Sequence, residues 1–317
     1  MKPHIALTMG DPAGIGPEIV VKVATDSSLL EKVDITVYGV KSVLEDAANR
    51  FNNGKLPKHI KETGVINDWD TFYYALPCSI LGEIAYNTVV TATQDTIDKK
   101  VDAIVTAPMN KTAVNMAGIS FTGHTELISE QCGAKNFAMM QSSENLRVIF
   151  ATTHIGLQEV CYAINIDRII EVTELLEHAI IQEGIAQPRI AIAAINPHAG
   201  ENGFMGVEDE VITKPAIEEL ELMGIDVTGP FPPDTLFIES IRTQFDGIVS
   251  MYHDQGHIPF KMLAFDKGVN STLGLPIIRT SVDHGTAFEI AWGDSERPNP
   301  GSLYAAINLA AIRAKNR

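Results

Sequence analysis

The chain has 317 residues, of which 45% are hydrophobic and 20% charged, a composition typical of a soluble globular protein with about two domains. The 24 Lys and Arg are outnumbered by 40 Asp and Glu, which gives a formal net charge of −16. Such an acidic chain, without a basic block, argues against nucleic acid or an anionic membrane as a partner. An anionic ligand would need a local cluster of positive groups.

The three cysteines favour a reducing compartment, because they are odd in number and form no CxxC pair. The first strand-like run reaches Gly10 too soon for a signal peptide. No apolar run approaches the roughly 18 residues that would span a bilayer. We therefore expect a cytoplasmic protein with no membrane contact.

The N-terminal segment predicts a strand over 4–9, a glycine turn GDPAGIGPE over 10–18 and a helix over 19–24. Glycines permit a tight turn, and Pro17 suits the first turn of a helix. Two interpretations stay open: a ligand-facing loop at a helix N-terminus, or a structural turn. The spacing is not the GxGxxG of a dinucleotide site.

Strands and helices then alternate along the first half of the chain. We predict strands over 33–40 and 101–106, helices over 41–51 and 82–99, and a loop with short strands over 52–74. This alternation predicts an α/β fold, with a mostly parallel sheet covered by helices on both faces.

The loop GISFTGHTE (118–126) is rich in hydrogen-bonding groups. His124 and Thr125 precede a helix predicted to begin near Glu126, where an imidazole and a hydroxyl can hold an oxyanion. The alternative for Thr125 is an ordinary helix N-cap.

The second half continues the pattern. We predict neighbouring strands over 137–140 and 146–151, followed by one or two helices over 157–183 with a break at 164–167. A strand over 189–195 and a helix over 209–223, despite Pro215, come next, and an extended segment over 228–236 presents Asp234. The rest is a strand over 247–251, a glycine-closed polar turn over 252–256 and a helix over 303–314.

Three predicted strands end at a histidine: His154, His198 and His253. Ligands of open α/β sheets lie at the carboxyl ends of the strands, and three neutral imidazoles suit a catalytic divalent metal. Spacings of 44 and 55 residues match no short metal motif, so the hypothesis depends on context. Each histidine alone is more often structural. Asp234 or Asp254 could orient a ligand or join the metal, and His257 is either a further site group or a surface residue.

Lys261, Asn270 and Arg279 form a second candidate set, because each lies in or beside a loop marked by Gly or Pro. Two cations and an amide can bind a phosphate or a carboxylate. Ordinary surface charge is the alternative.

Long motifs in conserved order resemble the 4-hydroxythreonine-4-phosphate dehydrogenase family nearly end to end. They are GDPAGIGPE (10–18), TAPMNK (106–111), FTGHTE (121–126), ATTH (151–154), NPHAGE (196–201), DTLF (234–237), YHDQG (252–256) and GVNSTLGLPIIRTSVDHGTA (268–287). HGTAFEIA (284–291) and the opening glycine loop also resemble the isocitrate/isopropylmalate dehydrogenase group.

The resemblance implies two α/β/α domains with a cleft between them. The first domain, on the cofactor side, would contain 1–125 plus 265–317. The second would contain 126–264, with the metal ligands and the dimer interface. The same resemblance implies a homodimer in which His154, His198 and His253 bind the metal, usually zinc (Mg²⁺, Co²⁺ or Mn²⁺ also suit), with His253 supplied by the partner subunit. The resemblance also implies three further sets of site residues. The substrate would be bound by His124, Thr125, Lys261, Asn270 and Arg279, and the catalytic residues would be Asp234, Asp254 and Lys261. NAD or NADP would be bound by Gly14, Gly16, His284, Gly285, Thr286 and Ala287.

The implied reaction is oxidation and decarboxylation of a phosphorylated 3-hydroxy acid. One branch of the family acts on 4-phosphooxy-threonine, and the other acts on D-threonate or D-erythronate 4-phosphate; QGHIPFK (255–261) looks closer to the second. One departure from the family pattern is the segment 292–298, which begins at Trp292 where a glycine-rich sequence is usual. It places the shape of the adenosine pocket in question.

Two other classes of function are compatible with this architecture. A non-catalytic sugar-phosphate or metal-binding protein would bind ligand without reducing NAD. A phosphate acyl- or acetyltransferase would require coenzyme A and no metal.

Overall fold

The computed structural model describes residues 2–66, 74–264, 267–293 and 297–317. Its strands are β1 (His4–Thr8), β2 (Asp34–Gly39), β3 (Ile60–Glu62), β4 (Ala103–Thr106), β5 (Ala138–Ser143), β6 (Leu146–Phe150), β7 (Ile190–Ala193), β8 (Val227–Phe231), β9 (Gly247–Ser250), β10 (Val269–Leu273) and β11 (Ile278–Val282).

The α-helices are α1 (Gly16–Val23), α2 (Ser27–Leu30), α3 (Lys41–Phe51), α4 (Ser79–Ile97), α5 (Lys111–Met116), α6 (His124–Gln131), α7 (Leu157–Ala163), α8 (Ile166–Gln182), α9 (Lys214–Leu222), α10 (Pro233–Leu236), α11 (Glu239–Arg242), α12 (His253–Ala264) and α13 (Gly301–Lys315). The predicted α/β fold class is confirmed. No helix within the described ranges is both long and apolar enough to cross a membrane.

The chain divides into two compact units. Unit 1 contains Met1–Lys135 and Leu275–Lys315 with Arg317, and unit 2 contains Asn136–Gly274 with Asn316. The domain boundaries expected from the sequence, at 125/126 and 264/265, stay a prediction.

Unit 1 has the strand order β3-β2-β1-β4-β11, with every neighbouring pair parallel. Residues 5–8 of β1 are buried, as are all four of β4, because apolar side chains lie on both faces of the sheet. Ala6, Val89, Ile104 and Ile128 pack into one of its cores. The predicted βα start of the chain is confirmed, with Pro17 in the first turn of α1.

Unit 2 has the strand order β10-β5-β6-β9-β7-β8. β5 pairs antiparallel with both β10 and β6, whereas β6, β9, β7 and β8 run parallel. The antiparallel pairs depart from the all-parallel trend because residues 144–145 join β5 to β6 as a tight hairpin, which leaves no room for a crossover helix. The central strands β6, β9 and β7 therefore end at the same edge.

Several local expectations for unit 2 hold. The chain breaks between α7 and α8, where the Asn165 side chain accepts from the Arg168 amide and caps the second helix. Pro215 is tolerated because it lies in the first turn of α9. The segment before it, Asp209–Thr213, is a turn of π-helix. The three cysteines are free thiols.

Candidate active site

Two of the three candidate metal ligands have an unusual backbone conformation. His154 follows β6 with φ of 44°, and His198 follows β7 with φ of 53°. A non-glycine residue in this left-handed region costs about 1–3 kcal/mol, and such residues gather at functional sites. The side chains of both histidines are exposed. Two imidazoles at the carboxyl edge of the unit 2 sheet are therefore held by a strained backbone.

The third candidate, His253, begins helix α12 directly after β9. The glycine-closed turn predicted over 252–256 is therefore wrong, since Gly256 lies inside the helix. The glycine has a packing reason, because a Cβ at this position would come within 2.6 Å of the Phe150 ring. The helix can approach β6 closely only without a side chain here.

His253 and His154 lie near one another, with 5.8 Å between ring centroids. His253 Nδ1 is 2.7 Å from Asp254 Oδ1, a contact in which Nδ1–H donates to the carboxylate and which leaves Nε2 as the ring acceptor. In the described part of a single chain, no group of three or more His, Cys, Asp or Glu is placed to hold a metal. One chain thus brings together two of the predicted ligands, and His198 is not gathered with them.

His257 is buried, with 6% of its surface exposed, so a surface position is excluded. Its ring stacks between His253, at 3.9 Å, and Phe150, at 4.1 Å, measured between centroids. Its Nδ1 is 3.1 Å from the carbonyl of His253, and its Nε2 is 3.4 Å from Gln141 Nε2. It supports the His253 ring from behind.

The other predicted residues of unit 2 lie on regular elements. Asp234 is exposed on α10, Lys261 is half-buried on α12, and Asn270 is in β10 opposite Gln141. The expectation that Lys261 lies outside a helix is wrong, because α12 continues past Pro259 to Ala264.

In unit 1, His124 and Thr125 form the first turn of α6, whose N-cap is Gly123. The N-cap alternative for Thr125 is therefore wrong. His124 Nε2 is shielded from solvent and has no hydrogen-bond partner among the described residues. Burial, together with the positive charges of Arg279 and Lys111, lowers the pKa of His124 to about 3. The imidazole is neutral at physiological pH.

Arg279 is a buried cation in β11, with only 3% of its surface exposed. Its Nη2 donates to Thr106 Oγ1 at 3.0 Å, at the carboxyl end of β4. Burial lowers the pKa of this guanidinium to about 10, so it stays charged at neutral pH. The carboxylate of Glu126 favours the charged form of this guanidinium. Arg279 beside a neutral His124 is chemically suited to a phosphate or carboxylate.

The predicted cofactor residues of unit 1 lie close together. The Ile15 amide donates to the Thr286 carbonyl at 3.0 Å, and a Cβ at Gly14 would lie 3.0 Å from Thr286. A Cβ at Gly16 would lie 2.3 Å from the carbonyl oxygen of Met9. The glycine loop therefore lies against the 284–287 segment, in which Ala287 has φ of 44° and His284 Nδ1 is 3.1 Å from the Gly285 carbonyl.

Trp292, the departure from the family pattern, is buried against this loop. Its Nε1 donates to the Pro12 carbonyl at 3.0 Å, and its ring packs against Phe51 and Tyr74 at centroid distances of 5.5 and 4.6 Å. The Arg50 Nη2 donates to its carbonyl at 3.1 Å. Trp292 thus braces the opening loop; residues 294–296 of the departing segment lie outside the described ranges.

Three buried polar residues went unrecognised in the sequence. Asp209 accepts the Ile195 and Asn196 amides at 2.8 and 2.9 Å. Gln255 links the ends of β9 and β7, accepting from Met251 N and donating to the Ala194 carbonyl. Asp11 accepts the Ala13 amide at 2.9 Å. Asp209 stands between Glu208 and Glu210 in a segment predicted to be helical, so its burial leaves no local signal.

Comparison with known proteins places this fold among enzymes of one family. Residues 20–310 match the family model for the pyridoxal phosphate biosynthetic protein PdxA. A 4-hydroxythreonine-4-phosphate dehydrogenase from Desulforapulum autotrophicum is 42% identical, over 99% of this chain and 96% of its own. A D-threonate 4-phosphate dehydrogenase from Pectobacterium atrosepticum is 41% identical, over 98% of this chain and 99% of its own.

A crystal structure of 4-hydroxythreonine-4-phosphate dehydrogenase from Klebsiella pneumoniae has the same fold. Its TM-score is 0.83 at 38% identity, over 99% of this chain and 98% of that one. Each of these relatives is named a dehydrogenase, and the solved structure has the same α/β fold. The class of protein is therefore an oxidoreductase. The chain belongs to the PdxA family. The resemblance drawn from its motifs is confirmed.

Proposed function

We propose that the protein is an NAD(P)-dependent, metal-dependent dehydrogenase that oxidises and decarboxylates 4-phosphooxy-L-threonine to 3-amino-2-oxopropyl phosphate. The observation that carries the proposal is the delivery of His154, His198 and His253 from three adjacent parallel strands, β6, β7 and β9, to one edge of the unit 2 sheet. Family membership gives the reaction class.

The three imidazoles fit a divalent metal by their donor chemistry, with Zn²⁺ first and Mg²⁺, Co²⁺ or Mn²⁺ as alternatives. When bound, such an ion supplies a Lewis acid that lowers the pKa of a substrate hydroxyl. Asp254 orients His253 through the 2.7 Å contact with Nδ1. Asp234 and Lys261 are our candidates for accepting the alcohol proton, and Lys261 also binds substrate.

The substrate phosphate is assigned to Arg279, His124 and Thr125. Lys261 and Asn270 are separate candidate substrate-binding residues. Support comes from the buried charge of Arg279 and the shielded Nε2 of His124. In a chain of net charge −16, a local cation of this kind provides the attraction that the surface as a whole does not.

The nicotinamide cofactor is assigned to Gly14, Gly16 and the residues from His284 to Ala287. Support comes from the contact between the two segments, in which the Ile15 amide donates to the Thr286 carbonyl, so that one ligand would meet both. The cofactor would carry the hydride, and these residues would position it.

We further propose a cytoplasmic homodimer in which His253 completes the partner's metal site. Large hydrophobic side chains are exposed on the segments that follow the candidate ligands: Leu157 at 72%, Tyr162 at 87% and Phe204 at 85%. These side chains supply apolar surface that a subunit interface would bury.

The alternative substrate is D-threonate or D-erythronate 4-phosphate, which would give dihydroxyacetone phosphate and CO₂. The D-threonate 4-phosphate dehydrogenase from P. atrosepticum is nearly as similar to this chain as the D. autotrophicum relative. This similarity supports D-threonate 4-phosphate as a second candidate substrate. The threonine and threonate substrates differ by an amine against a hydroxyl at C2.

The direct test follows formation of reduced nicotinamide with each substrate, before and after a chelator is added. We expect turnover that the chelator abolishes and added metal restores. A preference of about 100-fold, roughly 2.7 kcal/mol, identifies the substrate. No turnover with any of the three substrates, or turnover indifferent to the chelator, would contradict the proposal. A reaction that requires coenzyme A and reduces no nicotinamide would point to a transferase.

A further inference from the structure

The segment that carries His198 is held in a costly conformation. Five consecutive residues, 198–202, have positive φ: 53°, 54°, 74°, 45° and 55°. Four of them are not glycine, and each such residue costs about 1–2 kcal/mol in the left-handed region. A run of this kind persists only where its surroundings fix it.

Asp209 holds the backbone that leads into this run. The side chain is fully buried on the π-helical turn that precedes α9. Its Oδ1 accepts the Ile195 amide at 2.8 Å and the Thr213 hydroxyl at 2.9 Å, while Oδ2 accepts the Asn196 amide at 2.9 Å. The two amides belong to the residues that lead from β7 into the left-handed run.

Gly200 adds a second link between the two segments. A Cβ at Gly200 would lie 3.6 Å from the Cβ of Asp209 and 2.9 Å from the Gly206 carbonyl. The left-handed run is therefore packed against Asp209 at Gly200, while the hydrogen bonds of Asp209 hold the two residues 195 and 196 that precede the run.

We propose that Asp209 is a positioning residue for His198: its carboxylate fixes the exit from β7 so that the imidazole is presented for metal binding. This rests on the proposed function, in which His198 is a ligand. Only a carboxylate fits, because both of its oxygens receive N–H donors. An amide would place its own NH₂ against a backbone N–H.

The test compares Asp209→Asn with Asp246→Asn, a matched control. Asp246 Oδ2 accepts the Arg189 amide at 2.8 Å, so it anchors β7 at the opposite end, away from His198. Both variants remove a carboxylate that holds the same strand through a backbone amide. Co²⁺ affinity of the full chain is measured by competition with a chelator, and unfolding of the metal-free protein by urea.

We expect Asp209→Asn to weaken Co²⁺ binding by about 10- to 100-fold, as loss of an outer partner of a metal ligand does elsewhere. Asp246→Asn should bind Co²⁺ like the wild type even though it unfolds more easily. Equal Co²⁺ affinities for Asp209→Asn and the wild type would overturn the inference, as would equal losses in both variants.

His198→Ala separates this inference from the proposed function. If His198→Ala binds Co²⁺ as tightly as the wild type, the proposed metal site fails and the role of Asp209 fails with it. If only His198→Ala loses Co²⁺, the role of Asp209 alone is wrong. Should Asp209→Asn not fold, Thr213→Val removes one donor to Oδ1 and is expected to weaken Co²⁺ about threefold; unchanged affinity would then refute the inference.

Discussion

His124 shows how burial sets the chemistry of one residue. Its pKa is lowered to about 3 by burial and by the charges of Arg279 and Lys111, so the folded protein holds a neutral ring. We expect its ¹⁵N signals, identified by their loss in His124→Gln, not to titrate between about pH 5 and 8. The ring nitrogens should shift when the phosphorylated substrate is added. A titration midpoint near the ordinary value of 6.5 would contradict this placement.

Asp11 is perturbed in the opposite sense. Burial raises its pKa from 3.8 to about 6, although amides of Ala13 and Asn110 lower it. A carboxyl with a raised folded pKa stabilises the fold below its unfolded pKa, and that stability is lost as pH rises through the folded pKa. The contribution of Asp11 should thus lower the free energy of unfolding by roughly 3 kcal/mol as the pH rises from about 4 to about 7.

Asp11→Asn should remove that loss, because the amide oxygen can still accept from Ala13 while no charge is buried. Urea unfolding at about pH 8 should show a variant more stable than the wild type, by about 1–3 kcal/mol. Asp26→Asn is the control: Asp26 is a half-buried N-cap with a pKa lowered to about 2, so its removal should give no gain. An Asp11→Asn variant less stable than the wild type would show that the ionised Asp11 carboxylate stabilises the fold.

Residue chemistry was only partly predictable from the sequence. His154, His198 and His253 could be singled out as strand-end candidates, because an imidazole after an apolar run stands out; their role as metal ligands stays a prediction. Asp209 and Gln255 could not, since their burial arises from packing between segments far apart in the chain. The left-handed backbone at His154 also could not be predicted, because positive φ is uncommon even for histidine, which is only enriched among the few non-glycine residues that adopt it.

At the scale of elements, the opening loop makes a sharp prediction. A Cβ at Gly16 would lie 2.3 Å from the Met9 carbonyl, a backbone atom that cannot move alone. Gly16→Ala should therefore lower the free energy of unfolding by about 1–3 kcal/mol. Gly285→Ala is the matched control, since no described atom lies within 4 Å of its Cβ. Similar urea midpoints for the two variants would contradict the close approach.

Element types followed well from periodicity, and their ends less well. The parallel strands of unit 1 and the break between α7 and α8 follow from apolar runs and a capping Asn165. The glycine at 256 suggested a turn, yet the helix runs through it because the missing Cβ admits Phe150. Glycine signals both a turn and a close contact, and sequence alone does not separate the two.

For the whole molecule, the sharing of sites between subunits is the main prediction. Inactive His154→Ala and His253→Ala chains, when mixed and reassociated, should regain partial activity, because one of the two sites in each heterodimer keeps a full set of imidazoles. The gain is measured against each variant reassociated with itself. Verified heterodimers that stay inactive would show that both histidines act within one chain.

The central claim is that three histidines from separate strands hold one divalent ion. Metal analysis of the purified full-length chain and of His154→Ala, His198→Ala and His253→Ala tests it most directly, with His178→Ala, an exposed histidine on α8, as control. We predict one ion per chain in the wild type and the control, and loss of that ion in each of the three variants. Retention of the ion in any of the three, with the protein folded, would contradict the claim.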